Sequence, residues 1–188
     1  MKIVSGKYGG RRLIVPKDRS IRPTTDKVRG AVFNMLVSRG AVDGVRVLDA
    51  FCGSGALGLE ALSRGADHCT FIDKSRSSID LTKENADALK ATEFCDFGVR
   101  DATKMPENQG DMYGLVFLDP PYKKDLIPDV LQKLISGHWL DDGAWIVCES
   151  ERHFTLPVLP NLMNDHEKIY GDIKITLAQY SGNSAGIE

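Results

Sequence analysis

The sequence predicts an α/β fold, a doubly wound and mostly parallel sheet, on three observations. From Val45 onward, short apolar runs alternate with helical patterns, the signature of right-handed crossovers between parallel strands. The first of those runs leads into the glycine-rich turn Gly53-Ser54-Gly55 and then a helix. The last two runs, 166–170 and 173–180, are separated only by Gly171-Asp172, which reads as an antiparallel hairpin at the sheet edge.

Each element has its own signal. Residues 2–5 and 12–15 are β-rich runs around Tyr8-Gly9-Gly10, predicting a small hairpin. Val28, Ala31, Val32, Met35 and Leu36 fall at i, i+3, i+4, i+7 and i+8, predicting an amphipathic helix with Thr24 or Thr25 as N-cap and Gly40 near its end. The pattern then predicts strand 45–50, helix 56–64, strand 69–72, helix 76–90, strand 95–99, strand 114–118, helix 126–136 and strand 144–148. The whole reads as one structural unit. It comprises an N-terminal hairpin-and-helix extension (1–40), a core with a seven-stranded sheet (41–181) and a tail (182–188).

Length and composition agree. The chain has 188 residues, enough for one well-packed domain, with 42% hydrophobic and 27% charged residues. No apolar run is long enough to cross a bilayer, and the opening MKIVSGKYGGRRL lacks the apolar core of a secretion signal. Cys52, Cys69, Cys95 and Cys148 form no CxxC pair, so reduced thiols in the cytoplasm, and no metal, are expected. The formal net charge is −2, yet residues 1–29 carry nine Lys/Arg against two Asp/Glu. A basic arm on an acidic body suits a polyanionic partner, although a solvated tail explains the charge equally well.

Gly53-Ser54-Gly55-Ala56-Leu57-Gly58 matches the dinucleotide-binding G-x-G-x-x-G pattern, with Asp73 ending the next strand. Asp49 argues against a nicotinamide-dependent oxidoreductase. Its carboxylate ends the first strand just before the loop, where it would repel a pyrophosphate, and no basic residue in the loop offsets it. The same site suits a cationic ligand bearing an amine and a sulfonium, while Asp73 accepts from a ribose diol and Asp101-Ala102 face an adenine. These residues look like the cofactor motifs of the class I S-adenosylmethionine-dependent methyltransferases. The predicted cofactor contacts are Asp49, Phe51, Cys52, Gly53, Gly55, Asp73, Lys74, Asp101, Ala102 and Thr25.

The fourth strand runs into Asp119-Pro120-Pro121-Tyr122, 66 residues after Gly53. A proline turn after a strand is common by itself. Here each proline fixes its own φ and holds the preceding residue out of the helical region, giving a rigid extended segment. It presents the Asp119 carboxylate and the Pro120 carbonyl as two acceptors for the two N–H groups of a base amine. Such an amine is a poor nucleophile because its lone pair is delocalised, so gripping it and aiming it at a methyl is the catalysis required. Tyr122 offers a stacking face for an extruded base. This tetrapeptide is the signature of amino-methyltransferases acting on adenine N6, cytosine N4 or guanine N2, and Asp119, Pro120, Pro121 and Tyr122 are the predicted catalytic residues.

Three further strings narrow the match: Arg22 to Arg29 (RPTTDKVR) with Phe33-Asn34, Gly53 to Gly65 (GSGALGLEALSRG), and Glu149-Ser150-Glu151. Together with the tetrapeptide they resemble the bacterial RsmD family, along nearly the whole chain. Related sequences often carry Glu where this chain has Asp73. The resemblance implies a Rossmann-like class I methyltransferase fold and methylation of guanine N2 in 16S ribosomal RNA. It also implies S-adenosyl-L-methionine as cofactor and the small ribosomal subunit as partner. No membrane, no obligate protein partner and a monomer are expected, although the sequence does not reveal the oligomeric state. Lys7, Arg11, Arg12, Arg22, Lys27, Arg29, Lys123 and Lys124 are the candidate RNA contacts. Two rivals stand beside this reading. A DNA adenine-N6 or cytosine-N4 methyltransferase uses the same tetrapeptide but usually adds a target-recognition domain. A catalytically inactive RNA-binding assembly factor would have no use for the intact tetrapeptide and loop.

Overall fold

The computed structural model describes residues 1–16, 25–121 and 126–182. Helix α1 spans Asp26–Val37, and Thr25 caps it by accepting from the Val28 amide. Then follow β1 (Arg46–Asp49), α2 (Ala56–Ser63), β2 (His68–Asp73), α3 (Arg76–Leu89) and β3 (Cys95–Val99). The chain closes with β4 (Tyr113–Leu118), α4 (Leu126–Ser136), β5 (Leu140–Glu151), β6 (Leu162–Tyr170) and β7 (Ile173–Tyr180).

The seven strands lie in the order β3-β2-β1-β4-β5-β7-β6. β1 to β5 pair in parallel, while β7 is antiparallel to both β5 and β6. Sequence order reverses between β1 and β4, the position at which such sheets open a crevice beyond their carboxyl ends. One face packs under α1, α2 and α3 through Val32, Phe33, Leu59, Ile79, Phe71 and Phe117. The other packs under α4 through Ile127, Val130, Leu131, Val116 and Ile146.

Three elements depart from the expected pattern. β5 begins four residues earlier than predicted, because Asp141-Asp142-Gly143 reads as a turn yet is absorbed as an irregularity within the strand. Gly143 takes φ 78° there, and its carbonyl accepts from the Gln179 side chain. β6 is also longer than its apolar part, with a register shift between Asn164 and His166. It is a polar edge strand, so no alternation of buried residues marks its first half. The N-terminal hairpin forms around the single bridge Lys2–Arg12, with Ile3 donating to the Arg11 carbonyl (2.9 Å) and Gly10 to that of Ile3 (2.9 Å).

The hairpin does not project as an arm; buried polar groups of α2 and α3 pin it to the core. The fully buried Glu60 accepts from the amides of Val4 (2.7 Å) and Ser5 (3.1 Å). The Ser63 hydroxyl accepts from the Tyr8 amide (2.9 Å) and donates to the Ser5 carbonyl, and the Ser63 carbonyl accepts from the Lys7 amide. Gly6 is required at this contact, since φ is 82° and a Cβ would lie 1.8 Å from the Ser63 carbonyl oxygen.

Candidate active site

The carboxyl ends of the parallel strands carry the predicted acids. Asp49 ends β1, with its Oδ2 accepting from the Gly58 amide in the first turn of α2 (3.0 Å). It is buried, and burial, reinforced by the nearby Asp73 and opposed by the Gly58 bond, pushes its pKa up to about 7. The glycine loop between them is tightly supported. Gly55 takes φ 78°, and a Cβ there would meet Thr82 at 2.6 Å. A Cβ on Gly58 would lie 2.3 Å from Phe71, so this glycine brings α2 close to the sheet.

Asp73 at the end of β2 closes the loop from the other side, Oδ2 accepting from the Gly53 amide (3.2 Å) and Oδ1 from Ser75 (2.8 Å). After β3, Asp101 caps a short turn at 102–104. Both the amide (3.0 Å) and hydroxyl (2.7 Å) of Thr103 donate to its Oδ1, which leaves Oδ2 open among the described residues and holds its pKa below the usual carboxylate range. Ala102 is buried, Phe51 is half-buried and Lys74 is exposed. Cys52 is buried, and its thiol proton is held tightly by burial and by Asp49. Thr25, an expected cofactor contact, has its hydroxyl oxygen occupied as the cap of α1.

Two supports escaped the sequence reading. The Thr82 hydroxyl donates to the Gly53 carbonyl (3.1 Å). The buried Asn85 amide donates to the carbonyls of Ser54 (2.8 Å) and Ile14 (2.9 Å), and its oxygen accepts from the Ile14 amide (2.7 Å). Asn85 therefore ties the glycine loop to the N-terminal hairpin. Its only sequence signal is a polar residue on the apolar face of α3.

Asp119 and Pro120 follow β4 directly, beside β1 in the switch-point crevice. Asp119 is partly exposed as a residue, but its carboxyl is enclosed. That burial, with the negative charges of Glu149 and Asp49, raises its proton affinity. Pro121 is exposed. Tyr122, Lys123, Lys124 and Arg22 lie outside the described residues.

Of the basic candidates, Lys7, Arg11, Arg12 and Lys27 are exposed. Lys7 stacks over the rings of Tyr8 and Phe94, and the Arg11 guanidinium donates to the Ala88 carbonyl (2.6 Å). Arg12 and Lys2 line an open cleft of about 500 Å³ with Met1, Gly10, Leu13 and Asp26. Arg29 is a correction. It is fully buried, ion-paired to Glu60 (3.5 Å) and Asp26 (2.9 Å) and bonded to the Lys2 carbonyl, so it holds the hairpin and offers nothing to a phosphate.

A family model described as conserved hypothetical protein 95 matches residues 1–179. Ribosomal RNA small subunit methyltransferase D of Escherichia coli (strain K12) is 37% identical over 180 residues, covering 95% of this chain and 89% of that protein. The protein of the same name from Haemophilus influenzae is 33% identical over 183 residues, covering 95% and 93%. Among solved structures, the Escherichia coli protein yhhF matches with a TM-score of 0.87 at 36% identity, covering 97% of this chain and 99% of that one.

Proposed function

The chain belongs to the conserved hypothetical protein 95 family, the RsmD family, and from that premise we propose that it is an S-adenosylmethionine-dependent methyltransferase of 16S ribosomal RNA. The finer reading is transfer to the exocyclic N2 amine of a guanine exposed on an assembling small subunit. One observation carries the methyltransferase reading, and the resemblance alone supports the finer one. Acidic strand ends flank a glycine loop that has no basic residue, and the Asp119-Pro120 turn stands across the switch point from Asp49.

The residues present fit the cofactor. Asp49 keeps Oδ1 for an ammonium group, and its buried charge gains from a cation nearby. Asp73, already fixed by two backbone amides, accepts from a ribose diol through its remaining lone pairs. Asp101 offers Oδ2, and the Ala102 amide a donor, to an adenine edge. When bound, S-adenosylmethionine supplies an electrophilic methyl group on a good leaving group, so no covalent nucleophile from the protein is required. The Asp119 carboxylate and Pro120 carbonyl grip the two N–H groups of the target amine and aim its lone pair at the methyl. Lys2 and Arg12 in their cleft, with exposed Lys7, Arg11 and Lys27, supply positive charge for the phosphate backbone.

The test compares small-subunit particles, naked ribosomal RNA and duplex DNA as acceptors of labelled methyl groups, with the product nucleoside identified by mass spectrometry. N2-methylguanine on the particle is expected; N6-methyladenine, or preferential labelling of DNA, overturns the reading. Asp119→Ala should abolish most turnover while leaving cofactor affinity within a few fold. Full activity in that variant removes Asp119 from the chemistry.

A further inference from the structure

We propose that Asn85 is a positioning residue for the cofactor site, one that makes cofactor affinity depend on the docking of the N-terminal hairpin. The inference rests on the reading of the glycine loop as the S-adenosylmethionine site.

The geometry comes from one buried amide. Asn85 lies on the core-facing side of α3 and is fully buried. Its nitrogen donates to the carbonyls of Ser54 (2.8 Å) and Ile14 (2.9 Å), and its oxygen accepts from the Ile14 amide (2.7 Å). The side chain thus meets Ile14 as the peptide group of a neighbouring strand would, and it spends its two N–H groups on two different segments. Only one orientation of the amide satisfies all three partners. Reversed, its oxygen would face two carbonyls and its nitrogen an N–H. An orientation set at Ile14 is therefore delivered to Ser54.

The glycine loop needs that hold. Gly53 and Gly55 take φ 54° and 78°, and glycine imposes no conformation of its own. Thr82, one turn before Asn85 on α3, donates to the Gly53 carbonyl (3.1 Å). The two side chains therefore fix successive peptide planes of the loop, since a planar peptide unit carries its N–H with its C=O. A loop fixed before the cofactor arrives loses less freedom on binding. The Ser54 hydroxyl adds a weak contact with the hairpin, 3.9 Å from the Met1 sulfur.

The other end of the tether is anchored elsewhere. Glu60 accepts from the Val4 and Ser5 amides, and Ser63 bonds to Ser5, Lys7 and Tyr8. Ser63 ends α2, ~10 Å along the helix axis from the glycine loop that begins it. Among the described residues, Asn85 is the side chain that hydrogen-bonds both the hairpin and the loop. Linkage of this kind is reciprocal: what docking adds to cofactor affinity, bound cofactor returns to docking. It places cofactor affinity under the element that carries the exposed cations Lys7, Arg11 and Arg12.

The experiment is a double-mutant cycle read by calorimetry with S-adenosylhomocysteine, the demethylated cofactor. Gly6→Ala undocks the hairpin at its far contact, where a Cβ would lie 1.8 Å from the Ser63 carbonyl oxygen. That change and Asn85→Ala should each weaken binding by about 3- to 10-fold, the scale of one net hydrogen bond. The double variant should bind no more weakly than Asn85→Ala alone. Hydrogen exchange at the Ile3 and Gly10 amides, both bonded inside the hairpin, reads the reciprocal effect. Saturating S-adenosylhomocysteine should raise their protection by the same factor in the unsubstituted protein and leave it unmoved in Asn85→Ala. A merely structural Asn85 would lower Tm and leave these ratios alone. Effects that multiply in the double variant, or an affinity unmoved by Gly6→Ala, overturn the proposal. Should Asn85→Ala fail to fold, protection that S-adenosylhomocysteine leaves unchanged in the unsubstituted protein does so equally. Failure of the unsubstituted protein to bind S-adenosylhomocysteine at all overturns the cofactor-site reading, and the proposal with it; binding without linkage overturns the proposal alone.

Discussion

Glu60→Leu should be among the most destabilising single changes in this chain, and the structure gives its scale. The carboxylate is fully buried and takes four donors: the amides of Val4 (2.7 Å) and Ser5 (3.1 Å), Arg64 Nε (2.7 Å) and Arg29 Nε (3.5 Å). Removing it strands two amides and leaves the buried Arg29, among the described residues, with only Asp26 and the Lys2 carbonyl. Breaking a buried pair by deleting one partner costs about 3–5 kcal/mol. Each stranded amide adds up to about 1–3 kcal/mol unless the hairpin lifts off and returns it to water. Hairpin undocking therefore caps the loss, and about 3–5 kcal/mol is expected, or a Tm lower by roughly 6–20 °C for a chain of this size. Urea unfolding measures the total. Hydrogen exchange at the Ile3 and Gly10 amides, both bonded inside the hairpin, reports whether the hairpin is lost first. A loss under about 1 kcal/mol with unchanged protection at Ile3, against this expectation, refutes the pinning argument. Adding Arg29→Met to Glu60→Leu should recover part of the loss, because an apolar pair replaces an uncompensated charge.

Three further outcomes are expected. Asp49 has a folded pKa of about 7, above its unfolded value, so its contribution to stability is complete below about pH 4 and is lost as pH rises through 7. Asp49→Asn should flatten the change in urea midpoint between pH 5 and 8, while weakening S-adenosylmethionine binding; an unchanged slope counts against the buried acid. Asp73→Ala should weaken cofactor binding by about 1–3 kcal/mol in calorimetry, since it leaves hydrogen-bonding partners unpaired. Equal affinity removes Asp73 from the cofactor site. Arg12→Ala should lower the slope of log affinity for single-stranded ribosomal RNA against log salt by about 0.7, one phosphate contact. An unaltered slope takes the Arg12 cleft out of the RNA path.

Much of the fold was legible because its signals are local. The termini of α4 and of β3 fall where apolar spacing put them, and Thr25 caps α1 as its hydroxyl and position suggested. The glycine loop and the strand-end acids were legible for the same reason. Glycine at φ 78° and proline after Asp119 constrain the backbone within a few residues. β5 was misjudged at its start because Asp-Asp-Gly is a turn signal by composition, and only the partner strands show that the chain stays in the sheet.

The sequence by itself determined the elements, their order and the chemistry of the strand ends, since periodicity, caps and short motifs act over one or two turns of chain. The tertiary structure alone decided which charges meet. Arg29 looked like one more cation of a basic arm until Glu60, 31 residues away, proved to be its buried partner. Asp119 and Glu149 are neighbours only because β4 and β5 pair in register, with Leu118 beside Cys148. A charged residue's role depends on the groups within a few ångströms of it and on the water excluded around it, and both are set by packing between distant segments.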